Sequence, residues 1–324
     1  MKDINWGIIG AGDVAEVKSG PAFQNLANSR LLAVMRRNGE KARDFAQRHQ
    51  VPQWFDQAEA LIQHPEINAI YIATPPSSHE EYATRALRAG KDVYLEKPMA
   101  TQLEACSRII SEVEKSGRKL SVAHYRRALP AFIKVKSLLE EKAIGTLRFV
   151  QIRIFQPPKN DIITQTERNW RVEPDISGGG LFHDIAPHQM DLMYYYFGEP
   201  SYIRGFSTNQ AALYKADDIV SAEMHFENNL VFQGLWSFAV ADSAKHEGCQ
   251  IVGEKGSINF SFYGDEVQLL RDSAETFRFE NPPHIQQPMI EKVNAYFRSE
   301  AANPCSAEEG MIVMNMLNTI TATK

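Results

Sequence analysis

The strongest constraint on this chain is the rhythm of its first 124 residues, where short apolar runs alternate with amphipathic stretches. Ile4 to Ile9 reads as a strand, followed by strands at Arg30 to Met35, Trp54-Phe55, Ile67 to Ala73, Val93 onward and Lys119 to His124. Between them, Glu40 to His49 reads as a helix, and Asp56 with Glu59 makes a capping box for another that ends at Pro65. Ser78 to Ala89 is a helix stopped by Gly90, and Thr101 with Glu104 caps one that stops at Gly117. Strands separated by such helices pair in parallel through right-handed crossovers, which predicts a doubly wound α/β sheet.

The first strand runs straight into Gly10-Ala11-Gly12-Asp13-Val14-Ala15. In such a loop Gly10 allows the tight turn and Gly12 lets the backbone approach a pyrophosphate. The small Ala15 lets the next helix pack close, its positive N-terminus facing the phosphates. A dinucleotide is therefore expected, with Gly10, Gly12, Asp13 and Val14 at its phosphates. After the second strand an NAD site usually carries an acid for the ribose 2′-hydroxyl. Here the residues are Arg36-Arg37-Asn38, and two guanidiniums suit a 2′-phosphate. NADP is the expected cofactor and NAD the alternative.

Val93-Tyr94-Leu95-Glu96-Lys97-Pro98 is the second anchor. Proline lacks an N–H and fixes its own φ, so the strand stops there and leaves Lys97 at its carboxyl end. Open α/β sheets bind ligands at that edge, where Thr74-Pro75 also turns, so Lys97 is expected to be a catalytic amine.

After Tyr125-Arg126-Arg127 the pattern changes. A helix from Pro130 to Glu141 and a strand from Thr146 to Gln156 lead into a loop, Phe155 to Arg171, expected to line a pocket. Gly178-Gly179-Gly180 precedes a helix from Leu181 to Phe197. On it Asp184, His188 and Asp191, at offsets of four and three, share one face, while His183 points away. Mostly strands follow. Ser221 to Glu227 alternates, Asn228-Asn229 turns, and Gln250 to Phe262 forms a hairpin around Gly253 to Gly256. Helices at Met289 to Ser299 and from Ser306 close the chain. Few helices cover this half, so one sheet face should stay open and serve assembly into a homodimer or homotetramer. The expected domains are 1–124 for nucleotide binding and 125–324 for an α+β substrate-binding and oligomerisation domain, the last helix packing back on the first.

Composition narrows the partners. A net charge of −5 with no basic run gives no reason to expect nucleic acid. No apolar run reaches the length of a membrane span. Three cysteines, odd in number and without metal spacing, suggest free thiols in a reducing compartment, and no metal site. The first strand starts almost at once, which leaves no room for a signal peptide, so a cytoplasmic location is expected.

These residues together resemble the Gfo/Idh/MocA oxidoreductases, the group named for glucose–fructose oxidoreductase and inositol dehydrogenase, over essentially the whole chain. The likeness rests on the glycine loop, Ala73-Thr74-Pro75 with His79, and Glu96-Lys97-Pro98. It rests also on Gly178-Gly179-Gly180 followed by Asp184, His188 and Asp191. It implies a Rossmann domain joined to an α+β domain with a large, open, mostly antiparallel sheet that often forms the oligomer contact. It implies that Lys97 lies by the nicotinamide and the substrate hydroxyl, and that His188 is the acid or base with Asp184 beside it. Thr74, Pro75, His79 and Glu96 would then belong to the cofactor side. Trp170-Arg171 looks like a segment that in some members reaches the cofactor. Sugars, inositols and related polyols are the implied substrates, and some members oxidise dihydrodiols.

The expected reaction moves a hydride between nicotinamide and a carbinol or carbonyl carbon. Lys97 would steady the developing alkoxide and His188 would take its proton, with Asp184 orienting the imidazole or touching substrate. Asp191 is read as structural. Tyr125 and Arg126 either line the substrate pocket or only carry the crossover. Two rivals stay open: an NAD-dependent glycoside hydrolase of the same family, and an NADP-binding sensor without turnover.

Overall fold

In the computed structural model, residues 3–158 and 169–322 are described. Residues 159–168, most of the loop expected to line a pocket, lie outside the described residues. The chain divides into one unit of Met1–Tyr125 with Pro282–Met311, and a second of Arg126–Asn281 with Ile312–Lys324.

In the first unit, β1 (Ile4–Ile9), β2 (Ser29–Met35), β3 (Gln53–Phe55), β4 (Ala69–Ile72), β5 (Asp92–Leu95) and β6 (Leu120–Val122) form one parallel sheet. The strand order is β3-β2-β1-β4-β5-β6. Strands buried on both faces read as unbroken apolar runs, which is why Ala-Ile-Tyr-Ile in β4 shows no alternation. The connecting helices are α1 (Gly39–Arg48), α2 (Ala58–Ile62), α3 (His79–Arg88) and α4 (Leu103–Ser116). The α/β alternation expected of this half is present.

Three local expectations are corrected. The glycine loop does not open a regular α-helix: after a first α-type bond from Glu16 N to Gly12 O at 2.8 Å, Ala15–Ser19 forms a π-helical turn and Gly20–Phe23 a 3₁₀ turn. Pro21 has no N–H to extend the first turn, so the chain tightens instead. The Asp56/Glu59 and Thr101/Glu104 capping boxes do not form. Each helix starts one residue later than its box requires, at Ala58 and Leu103, so each glutamate falls at the second helical position. Glu59 instead accepts from Arg85 and Gln63. A reciprocal box does form at Ser306 and Glu309, each backbone N–H donating to the other's side chain.

The second unit holds α5 (Pro130–Glu140), β7 (Leu147–Phe155), α6 (Pro174–Ser177), α7 (Leu181–Ile185) and α8 (Pro187–Phe197). It continues with β8 (Tyr202–Thr208), β9 (Ile219–His225), β10 (Val231–Ser237), β11 (His246–Gly253), β12 (Gly256–Phe260), β13 (Glu266–Leu270) and β14 (Ala274–Arg278). The eight strands order β14-β13-β12-β11-β7-β10-β9-β8, antiparallel except for β7 beside β10. One face carries the core, including Val150, Ile152, Ile154, Met224 and Trp236. The other leaves Phe149, Phe206 and Leu235 exposed in this chain. The hairpin at Asn228-Asn229 has both residues at positive φ, 58° and 59°, as a two-residue turn between twisted strands demands.

The segment Pro282–Met311, expected in the second domain, groups with the first unit. Its helix α9 (Gln287–Phe297) explains why. Trp6 of β1 is fully buried, stacks near Phe297 (ring centroids 5.6 Å apart) and donates its indole N–H to Asn294 Oδ1 at 3.1 Å. Without that acceptor a buried donor would go unsatisfied, a cost of about 1–3 kcal/mol. The last helix, α10 (Ala307–Thr321), begins in the first unit and ends in the second. There Gly205 of β8 is required, because a Cβ would lie 2.1 Å from the Ile320 carbonyl oxygen.

Candidate active site

In the first unit, the loop after β1 is built for close approach. Gly10 sits at φ +94°, and a Cβ there would lie 2.8 Å from the Ala73 carbonyl carbon. Only glycine fits. Gly10 N and Ala11 N both donate to Met35 O, at 2.9 and 3.1 Å, which folds the loop over the end of β2. A Cβ on Gly12 would meet nothing closer than Gly10 O at 3.9 Å, so open space lies beside its backbone. Asp13 is exposed and Val14 half-buried at the start of the helical turn, where the first N–H groups have no partner within the helix. This cradle fits a pyrophosphate. Arg36 donates from Nη1 to Ala11 O at 3.4 Å, so its guanidinium lies against the same loop, with Arg37 exposed beside it.

Thr74 and Pro75 turn at the end of β4, held by Ser78, whose hydroxyl lies 2.9 Å from both Thr74 Oγ1 and Pro75 O. His79 lies beneath this turn. It is fully buried, with Nδ1 2.9 Å from Pro98 O and Nε2 2.8 Å from Thr74 O, and burial pushes its pKa down. It ties the turn after β4 to the turn after β5, and any part it has in cofactor binding runs through those turns.

Glu96 is likewise turned inward. Its Oε1 accepts from the Tyr71 hydroxyl at 2.6 Å and from Gln286 Nε2 at 2.7 Å, and its Oε2 accepts from Lys97 N at 3.1 Å. Gln286 Oε1 in turn accepts from the Tyr94 hydroxyl at 3.1 Å. Burial pushes the Tyr71 phenol well up, so it stays a donor. The carboxylate therefore clamps the backbone of Lys97, which is half-buried at the end of β5 ahead of a cis Lys97–Pro98 bond. Tyr71, Tyr94 and Gln286 have no signal in the sequence that would place them here.

In the second unit the expected single helix is two. Pro187 has no N–H, so α7 ends at Ile185 and α8 begins at Pro187. The row of three side chains is also divided among partners. Arg171 is buried and donates from Nε to Asp184 Oδ2 at 3.0 Å, with its guanidinium carbon 4.4 Å from the Trp170 ring centre. Of the Trp170-Arg171 pair, expected to reach the cofactor, Arg171 holds Asp184 through this ion pair. Asp191 receives Arg127 through Nη2 at 2.7 Å and Nε at 3.0 Å, wholly inside the core, and burial raises its pKa to about 6. Asp191 is structural in form. His188 is 5% exposed in the first turn of α8.

Arg126 lies within the second unit. It is buried, donates from Nε to Phe262 O at 2.9 Å and lies over the Tyr263 ring. Tyr125 is buried as well.

A parallel sheet in this strand order, with a glycine cradle after its first strand, defines a dinucleotide-binding Rossmann fold. Residues 4–124 match the oxidoreductase family with an NAD-binding Rossmann fold, and residues 132–259 match the GFO/IDH/MocA C-terminal domain. The chain belongs to the Gfo/Idh/MocA oxidoreductase family. It is 49% identical to Oxidoreductase P35 of Formosa agariphila, over 99% of each chain. It is 25% identical to the 1,5-anhydro-D-fructose reductase of Ensifer adhaerens, over 78% of this chain and 74% of that one. The crystal structure of an oxidoreductase from Thermotoga maritima superposes with a TM-score of 0.88 at 26% identity, covering 98% of this chain and 96% of that one.

Proposed function

We propose that this protein is an NADP-preferring dehydrogenase or reductase acting on a CH–OH or carbonyl centre of a sugar, inositol or related polyol. The observation that carries the reading is the grip on Glu96, which fixes Lys97 at the ligand edge of the sheet. The likeness to an anhydro-sugar reductase supports the substrate class.

Gly10 and Gly12 would admit the pyrophosphate, with the backbone N–H groups of Asp13 and Val14 turned to it. Arg36 and Arg37 would hold the 2′-phosphate, and Thr74-Pro75 would edge the nicotinamide side. When bound, the nicotinamide accepts or supplies the hydride. Lys97 Nζ offsets the charge that gathers on the substrate oxygen as its proton leaves, and the His188 imidazole takes that proton. Asp184, pinned by Arg171, orients the imidazole or a substrate hydroxyl. The open face bearing Phe149, Phe206 and Leu235 is the proposed surface for self-association, and sedimentation showing only a monomer would remove it.

The test is a rate screen over sugars and polyols with NADP and NAD in both directions. Turnover with NADP supports the reading. Binding of NADP without reduction by any member would favour a sensor.

A further inference from the structure

Strand β7 sets Val150, Ile152 and Ile154 on the core face of its sheet, and Gln156 continues that alternation as the chain leaves the strand. Its backbone is fully engaged. Its N–H donates to Ser237 O at 2.8 Å, and its carbonyl accepts from Val240 N at 3.3 Å. Its side chain is 0% exposed, yet among the described residues neither amide atom has a hydrogen-bond partner.

The surroundings say where that amide lies. Ile154 pairs in register with Trp236 on the parallel neighbour β10, and Trp236 donates its indole N–H to Gln189 Oε1 at 3.3 Å. Gln189 follows His188 in the first turn of α8, and its own Nε2 is buried without a partner among the described residues. Two amides with unmet groups therefore belong to the helix-covered face at the carboxyl end of the parallel pair, one of them adjacent in sequence to His188.

A buried amide without partners costs folding free energy, and native proteins rarely keep one. Methionine or leucine would fill much the same volume without that cost. Such a group fits a partner that comes and goes. An amide offers a donor and an acceptor side by side, which matches two neighbouring hydroxyls, one donating to Oε1 and the other accepting from Nε2. We infer that Gln156 is a substrate-recognition residue that binds a vicinal diol of the polyol, away from the carbon that is oxidised or reduced. The inference rests on the polyol reading above.

Gln156→Met tests it with two readouts. Melting of the ligand-free protein should stay level or rise, because the substitution removes an unsatisfied group. With D-glucose, D-xylose and myo-inositol, kcat/KM should fall about 10- to 100-fold, while a monodeoxy analogue lacking the recognised hydroxyl should lose little. A lower melting temperature overturns the inference whatever the rates do, since it means the amide is satisfied at rest, by a buried water for example. An unchanged kcat/KM and substrate ranking also overturns it. If the wild type acts on none of these compounds, the polyol reading falls, and the melting comparison alone then supports or overturns a ligand role for Gln156.

Discussion

Gln286 and Glu96, 190 positions apart in the chain, meet in a 2.7 Å hydrogen bond from Nε2 to Oε1. Gln286 also accepts from Tyr94, so one amide links the strand that carries Lys97 to the carboxylate that clamps it. Gln286→Leu leaves a buried carboxylate with one donor fewer, a loss of about 1–3 kcal/mol in unfolding free energy. It should also lower kcat with little change in NADP affinity, because the lysine backbone loosens while the glycine cradle does not. Denaturant melts, steady-state rates and a cofactor titration check the three effects; unchanged stability and rate would remove Gln286 from the support of Lys97.

Arg36 lies against the glycine loop through Ala11 O, where a 2′-phosphate would need a cation. Arg36→Asp should lower the NADP-to-NAD ratio of kcat/KM by about 10- to 100-fold, as a bidentate charge-assisted contact becomes a repulsion. The rate with NAD should hold or rise. An unchanged ratio would show that the arginine is only an edge of the loop.

His183 has a separate, structural prediction. Burial holds its pKa at about 4, against 6.5 for a free imidazole. The folded protein therefore stays unprotonated at His183 until well below the point where the unfolded chain takes up a proton. Stability from this group is present above pH 6.5 and is lost as pH falls toward 4. The shift corresponds to at most about 3 kcal/mol. Asp191, raised to about 6, works in the opposite sense over the same interval, so wild type alone will not isolate the effect. His183→Gln should lose less stability than wild type between pH 7 and 4.5, measured by urea unfolding; equal losses would contradict it.

What could be read from the sequence followed from periodicity and from short motifs. The strand–helix alternation, the glycine loop and the Glu96-Lys97-Pro98 stop are local patterns, and the sheet, the tight turn and the strand end form where they were read. Pro187 was visible in the sequence, and its missing N–H is the reason the long helix divides. The two lost capping boxes differ from real ones by a single residue of helix start, which composition does not specify. Tyr71, Gln286 and the arginines that claim Asp184 and Asp191 were not legible, because their partners come from distant segments brought together only by packing. The partners of Arg171 and Arg126 were hidden for the same reason: the sequence shows a charge, and folding decides which carboxylate or carbonyl lies beside it.

Lys97 and His188 are proposed to carry charge and proton for a nicotinamide-linked reaction on a polyol. The most direct measurement compares wild type, Lys97→Met and His188→Asn by nicotinamide absorbance on a substrate found in the sugar and polyol screen, with NADP affinity measured in parallel. Both variants should bind NADP as wild type does and lose turnover by about a thousandfold or more. A variant that binds NADP normally and turns over at a near-wild-type rate would contradict the role assigned to its residue.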